Sequence, residues 1–95
     1  MRRPQTAAAR EEERILNPKI ISLDRLRVGE RGHIQALQLT GAMRRRLQDL
    51  GLICGTPLSC YCIHPSGTLA VYHFRGTLLA LRGQDARQIL VEIAS

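Results

Sequence analysis

Apolar positions recur with different periods along this chain, and the changes of period divide it. Up to about Asn17 no apolar face repeats: Ala7-Ala8-Ala9 and Glu11-Glu12-Glu13-Arg14 carry helix propensity without a side to bury. Asn17-Pro18 breaks the chain's course, and Ile20-Ile21-Ser22-Leu23 opens the folded part. Leu23, Leu26 and Val28 anchor this lead-in, and Gly29 and Gly32 bracket a turn. Residues 33–39 then read as a strand whose imperfect alternation predicts a bulge. Residues 1–20 are expected to form a flexible extension bearing charges of both signs, and residues 21–95 a single domain.

The period next becomes helical. Met43, Leu47 and Leu50 recur at i, i+4 and i+7, which predicts a helix over about 41–50 with those three on its buried stripe. Thr40 stands at the N-cap position, and Gly51 at the left-handed position that closes a Schellman motif and folds Leu52 back on Leu47. Arg44 and Arg45 are left facing outward, with Arg46 at the margin. Arginines in the first half of a helix gain nothing from its dipole, so a partner surface is one reason for them. A solvated helix face, or pairing of Arg46 with Asp49 or Glu92, is the plainer alternative.

After Gly55-Thr56-Pro57 the period is that of strands. Residues 58–64 and 68–74 flank a hairpin loop, Pro65-Ser66-Gly67, with glycine where a left-handed residue is wanted. Further strands are expected over 77–82 and 89–93, joined by a short helical turn near 83–87. The fold class is therefore mainly β: about five short strands closing into a small barrel, with one inserted α-helix over an opening.

Composition narrows the function. The chain has 95 residues, enough for one compact core. It contains no run of about 18 apolar residues and no apolar leader, so no membrane insertion is predicted and a cytoplasmic location is expected. Its three cysteines, Cys54, Cys60 and Cys62, are an odd number and suggest no disulfide framework. The net charge of +6 is divided: about +2 falls before Ser22 and about +4 after it. An acidic partner follows, whether protein, anionic lipid or nucleic acid. Tyr61, Tyr72 and Phe74 are the only aromatics, which disfavours stacking on single strands. No P-loop, nucleophile elbow or carboxylate pair with a base is present, so an enzyme is not expected and no cofactor is called for.

The stretch Ser59-Cys60-Tyr61-Cys62-Ile63-His64 holds the residues with metal-ligand chemistry. If His64 pairs with Thr68, then Cys62 faces Ala70 and Cys60 faces Tyr72 on one side of the hairpin. Cys60 and His64 would lie roughly 13 Å apart along the strand, too far to share a zinc ion that holds its ligands at about 2.0–2.3 Å. Cys60 and Cys62 therefore read as packing residues, and no metal is assigned to Cys60, Cys62 or His64. The other side carries Tyr61, Ile63, Leu69 and Val71, an apolar surface that either docks a partner or is covered by tail, helix or loops.

Taken in order, Leu23-x-x-Leu26-x-x-Gly29-x-x-Gly32-x-Ile34, Arg44-Arg45-Arg46-Leu47-x-Asp49-Leu50-Gly51-Leu52-x-x-Gly55-Thr56, Arg75-Gly76-x-x-Leu79-Ala80-Leu81-Arg82 and Ile89-x-Val91-Glu92 resemble the FeoA family of ferrous iron transport proteins. The resemblance covers about residues 22–93. It implies an SH3-like β-barrel with an inserted helix, and an accessory role rather than catalysis. The implied partner is FeoB, the membrane ferrous iron permease with a GTP-binding cytosolic domain, which would hold the protein at the inner face of the membrane. The hairpin loop is shorter here than the family's usual Pro-Leu-Gly-Asp-Pro, and the N-terminal extension is longer. The residues expected at the partner surface are Arg44, Arg45 and Arg46 with Tyr61, Ile63, Leu69 and Val71. The alternative is a basic SH3-like module for nucleic acid or another acidic surface, since similar domains accompany metal-dependent repressors. Direct ferrous binding is a third possibility, and no signal for it is expected.

Overall fold

A computed structural model describes residues 19–93, and the extension expected over 1–20 lies, up to residue 18, outside them. The order of elements is β1 (Lys19–Ser22), a 3-10 turn (Leu23–Arg25), β2 (Arg31–Leu37), α1 (Gly41–Asp49), β3 (Pro57–Ile63), β4 (Leu69–Phe74), β5 (Thr77–Arg82), α2 (Gly83–Ala86) and β6 (Ile89–Ile93). The strands form one antiparallel sheet ordered β1-β6-β2-β3-β4-β5. The fold is mainly β as expected, with six strands rather than five, because the lead-in segment pairs with the last strand from Lys19↔Ile93 to Ser22↔Leu90. Among the described residues the sheet curls around the core but is not closed: β1 and β5 are its two edges. The expectation of a closed barrel is corrected on that point.

One face of the curled sheet holds the core. Leu23, Ile34, Leu58, Phe74, Ile89 and Val91 are among its buried side chains, and burying each large one contributes about 1.5–3 kcal/mol. The predicted bulge in β2 falls between Ile34 and Ala36, where the register against β6 shifts by one. Gly32 is needed at a close approach: a Cβ there would meet the Glu92 carbonyl oxygen and Ile93 Cγ2 at 3.1 Å.

Helix α1 has only nine residues, too few to be stable alone, and packing fixes it. Leu47 is buried and Met43 packs partly against the core, but Leu50, expected on the same stripe, is 42% exposed. The chain leaves the helix there: the Gly51 amide donates to the Gln48 carbonyl (2.9 Å) and Leu52 to that of Leu47 (2.9 Å), with Gly51 at φ 99°. This is the predicted Schellman motif, and the buried Leu52, not Leu50, continues the stripe. Thr40 occupies the N-cap position with extended backbone, but its side chain makes no capping bond.

The Gly55-Thr56 turn has its own mechanism. Thr56 is buried, donates its hydroxyl to the Gly51 carbonyl (2.8 Å) and accepts from the Ile53 amide (3.1 Å). Gly55 donates to the Ile34 carbonyl (2.7 Å) and Ile34 to that of Thr56 (2.9 Å), which ties the end of the helix to β2. Arg75 and Gly76, both at positive φ, form the two-residue turn that sets β5 against β4 without a register shift. The turn near 83–87 is α2.

Candidate partner-binding surface

Helix α1 turns Leu47 and Met43 toward the core, which leaves Arg44 and Arg45 on its outer side and Arg46 at the margin of the buried stripe. Arg44, Arg45 and Arg46 are all exposed. Arg44 reaches back to donate to the Leu37 carbonyl at 2.6 Å, which holds its guanidinium against the end of β2. Arg46 lines a groove of about 420 Å³ between α1 and β5, with Met43, Leu69, Leu79 and Arg82 among its walls. Leu69, assigned to the apolar hairpin surface from sequence, therefore joins Arg46 in one depression. Beside it, a second hollow of about 570 Å³ shares Leu69 and Arg82 and adds Arg87. Among the described residues, the carboxylate paired with these arginines is Asp24, 4.0 Å from Arg87, and exposed pairs of that kind contribute little. Neither Arg46 nor Arg82 has, among the described residues, a carboxylate within 4.0 Å, although Asp85 also lines the groove.

The hairpin differs from the expected register. Cys60 does face Tyr72, but Cys62 faces Val71 and Ile63 faces Ala70, with Tyr61 as the extra residue of a bulge. At its loop end His64 donates to the Leu69 carbonyl (2.8 Å), so the connection is one residue longer than the three-residue loop assumed. The bulge has a non-local cause. The Gly29 amide donates to the Cys60 carbonyl (2.8 Å) and the Cys60 amide to the Glu30 carbonyl (3.2 Å), so β3 exchanges β2 for the segment before it as a neighbour at this residue.

The consequence is that the two cysteines part company. Cys60 is 2% exposed and packs in the core, where burial, with lesser effects of Cys62 and Glu30, pushes its thiol pKa up and keeps it protonated. Cys62 is exposed, which corrects its reading as a packing residue. Tyr61 is 60% exposed and Val71 half-buried, on the outer face with Cys62. Ile63, 45% exposed, is in register with Ala70 and so turns to the other face, which breaks up the four-residue apolar patch. His64 is occupied within its loop, where Nδ1 lies 2.8 Å from Ser66 Oγ and accepts from the Ser66 amide (3.1 Å). Among the described residues no three His, Cys, Asp or Glu side chains gather to hold a metal ion. Below the hairpin, the Tyr72 hydroxyl donates to the Leu23 carbonyl (3.4 Å). Its pKa is pushed up to about 12, chiefly by burial and further by Cys60 and Asp24.

What the sequence reading missed is the groove, because α1 and β5 are brought together only by the curl of the sheet. The signal available was the run Thr77-Leu78-Leu79-Ala80-Leu81-Arg82, a strand ending in arginine without an acid.

A six-stranded curled sheet with a helix inserted between its second and third strands defines a small SH3-like domain. Residues 21–93 match the FeoA domain, and the chain belongs to the FeoA family, which is linked to ferrous iron transport. It is 33% identical to the FeoA protein from Chlorobium tepidum, with a TM-score of 0.75 over 79% of this chain and 71% of that one. To the FeoA-like protein from Clostridium acetobutylicum it is 27% identical, with a TM-score of 0.71 over 81% of this chain and 90% of that one. The zinc complex of Stenotrophomonas maltophilia FeoA, an SH3 domain protein, shares the fold at 24% identity and a TM-score of 0.66 over 75% of this chain and 88% of that one. A manganese-dependent transcriptional repressor also shares the fold, at 18% identity and a TM-score of 0.68, over 81% of this chain and 43% of the repressor. No curated protein matches the chain. Among the described residues no helix is long and apolar enough to cross a membrane.

Proposed function

We propose that this protein is an accessory regulator of ferrous iron uptake that binds the cytosolic, GTP-binding region of a FeoB-type permease at the inner face of the membrane. One observation carries the reading: Arg44, Arg45 and Arg46 stand exposed on a rigidly anchored helix beside a groove that combines apolar side chains with Arg46 and Arg82. Arginine is favoured at interfaces because its planar donor fork engages carboxylates in pairs and its stem packs on apolar surface. Family membership and the link to ferrous iron transport supply the pathway. The role is that of a binding module, with no catalytic step assigned to any residue.

Isothermal titration of the permease's cytosolic region into the full chain tests the proposal. Replacing Arg44, Arg45 and Arg46 by alanine is expected to weaken binding at least tenfold while the thermal midpoint stays within a few degrees. Equal affinity for the variant and the natural chain would remove the arginines from the interface.

A further inference from the structure

The two edges of the open sheet are not equivalent. Strand β1 is four residues long and begins with Lys19, both of which blunt an edge against pairing. Strand β5 is six residues long, pairs with β4 in unbroken register, and contains no proline, lysine, acid or bulge. Among the described residues it has no second neighbour.

The hairpin geometry says which of its backbone groups are free. A two-residue turn at Arg75-Gly76 makes Phe74↔Thr77 a hydrogen-bonded pair, and antiparallel pairs then alternate. Thr77, Leu79 and Leu81 bond inward to β4, while Leu78, Ala80 and Arg82 direct N–H and C=O outward. The bond from the Gly83 amide to the Thr68 carbonyl (3.0 Å) falls on the hydrogen-bonded phase of that alternation. Leu78 is 53% exposed and Ala80 is exposed as well.

We infer that the β5 edge receives one extended segment of the partner as a seventh strand, and that this segment is acidic with an apolar anchor. Charge and shape select it: Arg46 and Arg82 outnumber Asp85 among the charged residues lining the groove that runs beside the edge, and Met43, Leu69 and Leu79 give that groove an apolar floor. A second copy of this chain is a poor occupant, because its own β5 and α1 bring arginine to arginine. The inference rests on the proposed binding role and names the surface and the partner chemistry within it.

Backbone amide exchange provides the test. In the free full-length chain the Leu78, Ala80 and Arg82 amides should exchange rapidly and those of Leu79 and Leu81 slowly. On binding the permease's cytosolic region, the first three should slow at least tenfold. Ala80→Pro removes one outward donor while sparing the bonds to β4, a substitution that edge strands tolerate, and should weaken binding at least tenfold. Should that variant lose its fold, Arg82→Glu serves instead, with the same weakening expected. Binding without protection of these amides overturns the edge and leaves the partner reading intact. If the permease region does not bind at all, a short synthetic peptide of alternating glutamate and valine decides the matter. Protection of the same amides supports the edge without that partner, and no effect on them overturns it. Slow exchange of the three amides in the free chain, abolished by deleting residues 1–18, would make the chain's own extension the occupant and also overturn the inference.

Discussion

Serine in place of each hairpin cysteine reads the bulge at Tyr61 directly. Cys60 lies 2% exposed in the core, and its sulfur is 4.0 Å from the nearest acceptor it can reach, the Cys62 carbonyl. A serine hydroxyl sits closer to its own backbone than a thiol does and needs an acceptor within about 3 Å, so Cys60→Ser buries an unsatisfied hydroxyl. That costs about 1–3 kcal/mol. Cys62→Ser, on the exposed side of the bulge, should change stability by less than about 0.5 kcal/mol. Urea unfolding in reducing buffer, followed by circular dichroism, separates the two. With a slope of about 1 kcal/mol/M for so small a domain, the Cys60→Ser midpoint should fall by about 1 M or more at unchanged slope, and that of Cys62→Ser should stay in place. Equal losses at both positions would put the two thiols on one buried face and refute the bulge.

Tyr72 predicts an alkaline transition. Its pKa is pushed up to about 12 from an ordinary 10, so the stabilisation from its buried neutral hydroxyl is complete below pH 10 and lost as pH rises from 10 to 12. Thermal melts across that window should lose on the order of 2–3 kcal/mol, and Tyr72→Phe should flatten the dependence. Gly51→Ala forces an alanine to φ 99° beside the Arg75 side chain and should cost about 1 kcal/mol, a fall of about 4–8 °C in Tm. Gly32→Ala drives a methyl against the Glu92 carbonyl and Ile93, for a loss of about 1–3 kcal/mol in the same melts.

The helix, its glycine stop and the succession of short strands were legible because each rests on local chemistry: a 3.6-residue period, a left-handed glycine, a two-residue turn. Leu50 was misplaced because a period extrapolates past the residue where the chain turns away, and Leu52 took its place. The hairpin register was right at Cys60↔Tyr72 and wrong by one beyond it. The reason is non-local: Gly29 and Glu30 hydrogen-bond the Cys60 backbone from a segment some thirty positions earlier, as the paired bonds at 2.8 and 3.2 Å record. That single shift moved Cys62 outward and Ile63 to the opposite face. The arginine surface was legible as exposed charge, whereas its groove needed the curl of the sheet to bring Arg46, Leu69 and Arg82 together.

The basic surface is proposed to meet an acidic patch on the iron permease's own cytosolic region rather than nucleic acid. Titrating the full chain in parallel against the permease's cytosolic region and a random-sequence DNA duplex, at matched physiological salt, tests it most directly. Saturable binding to the permease region that is lost when Arg44, Arg45 and Arg46 become alanine is expected, with no more than weak, steeply salt-dependent binding to DNA. Tight binding to the duplex with none to the permease region would contradict the proposal.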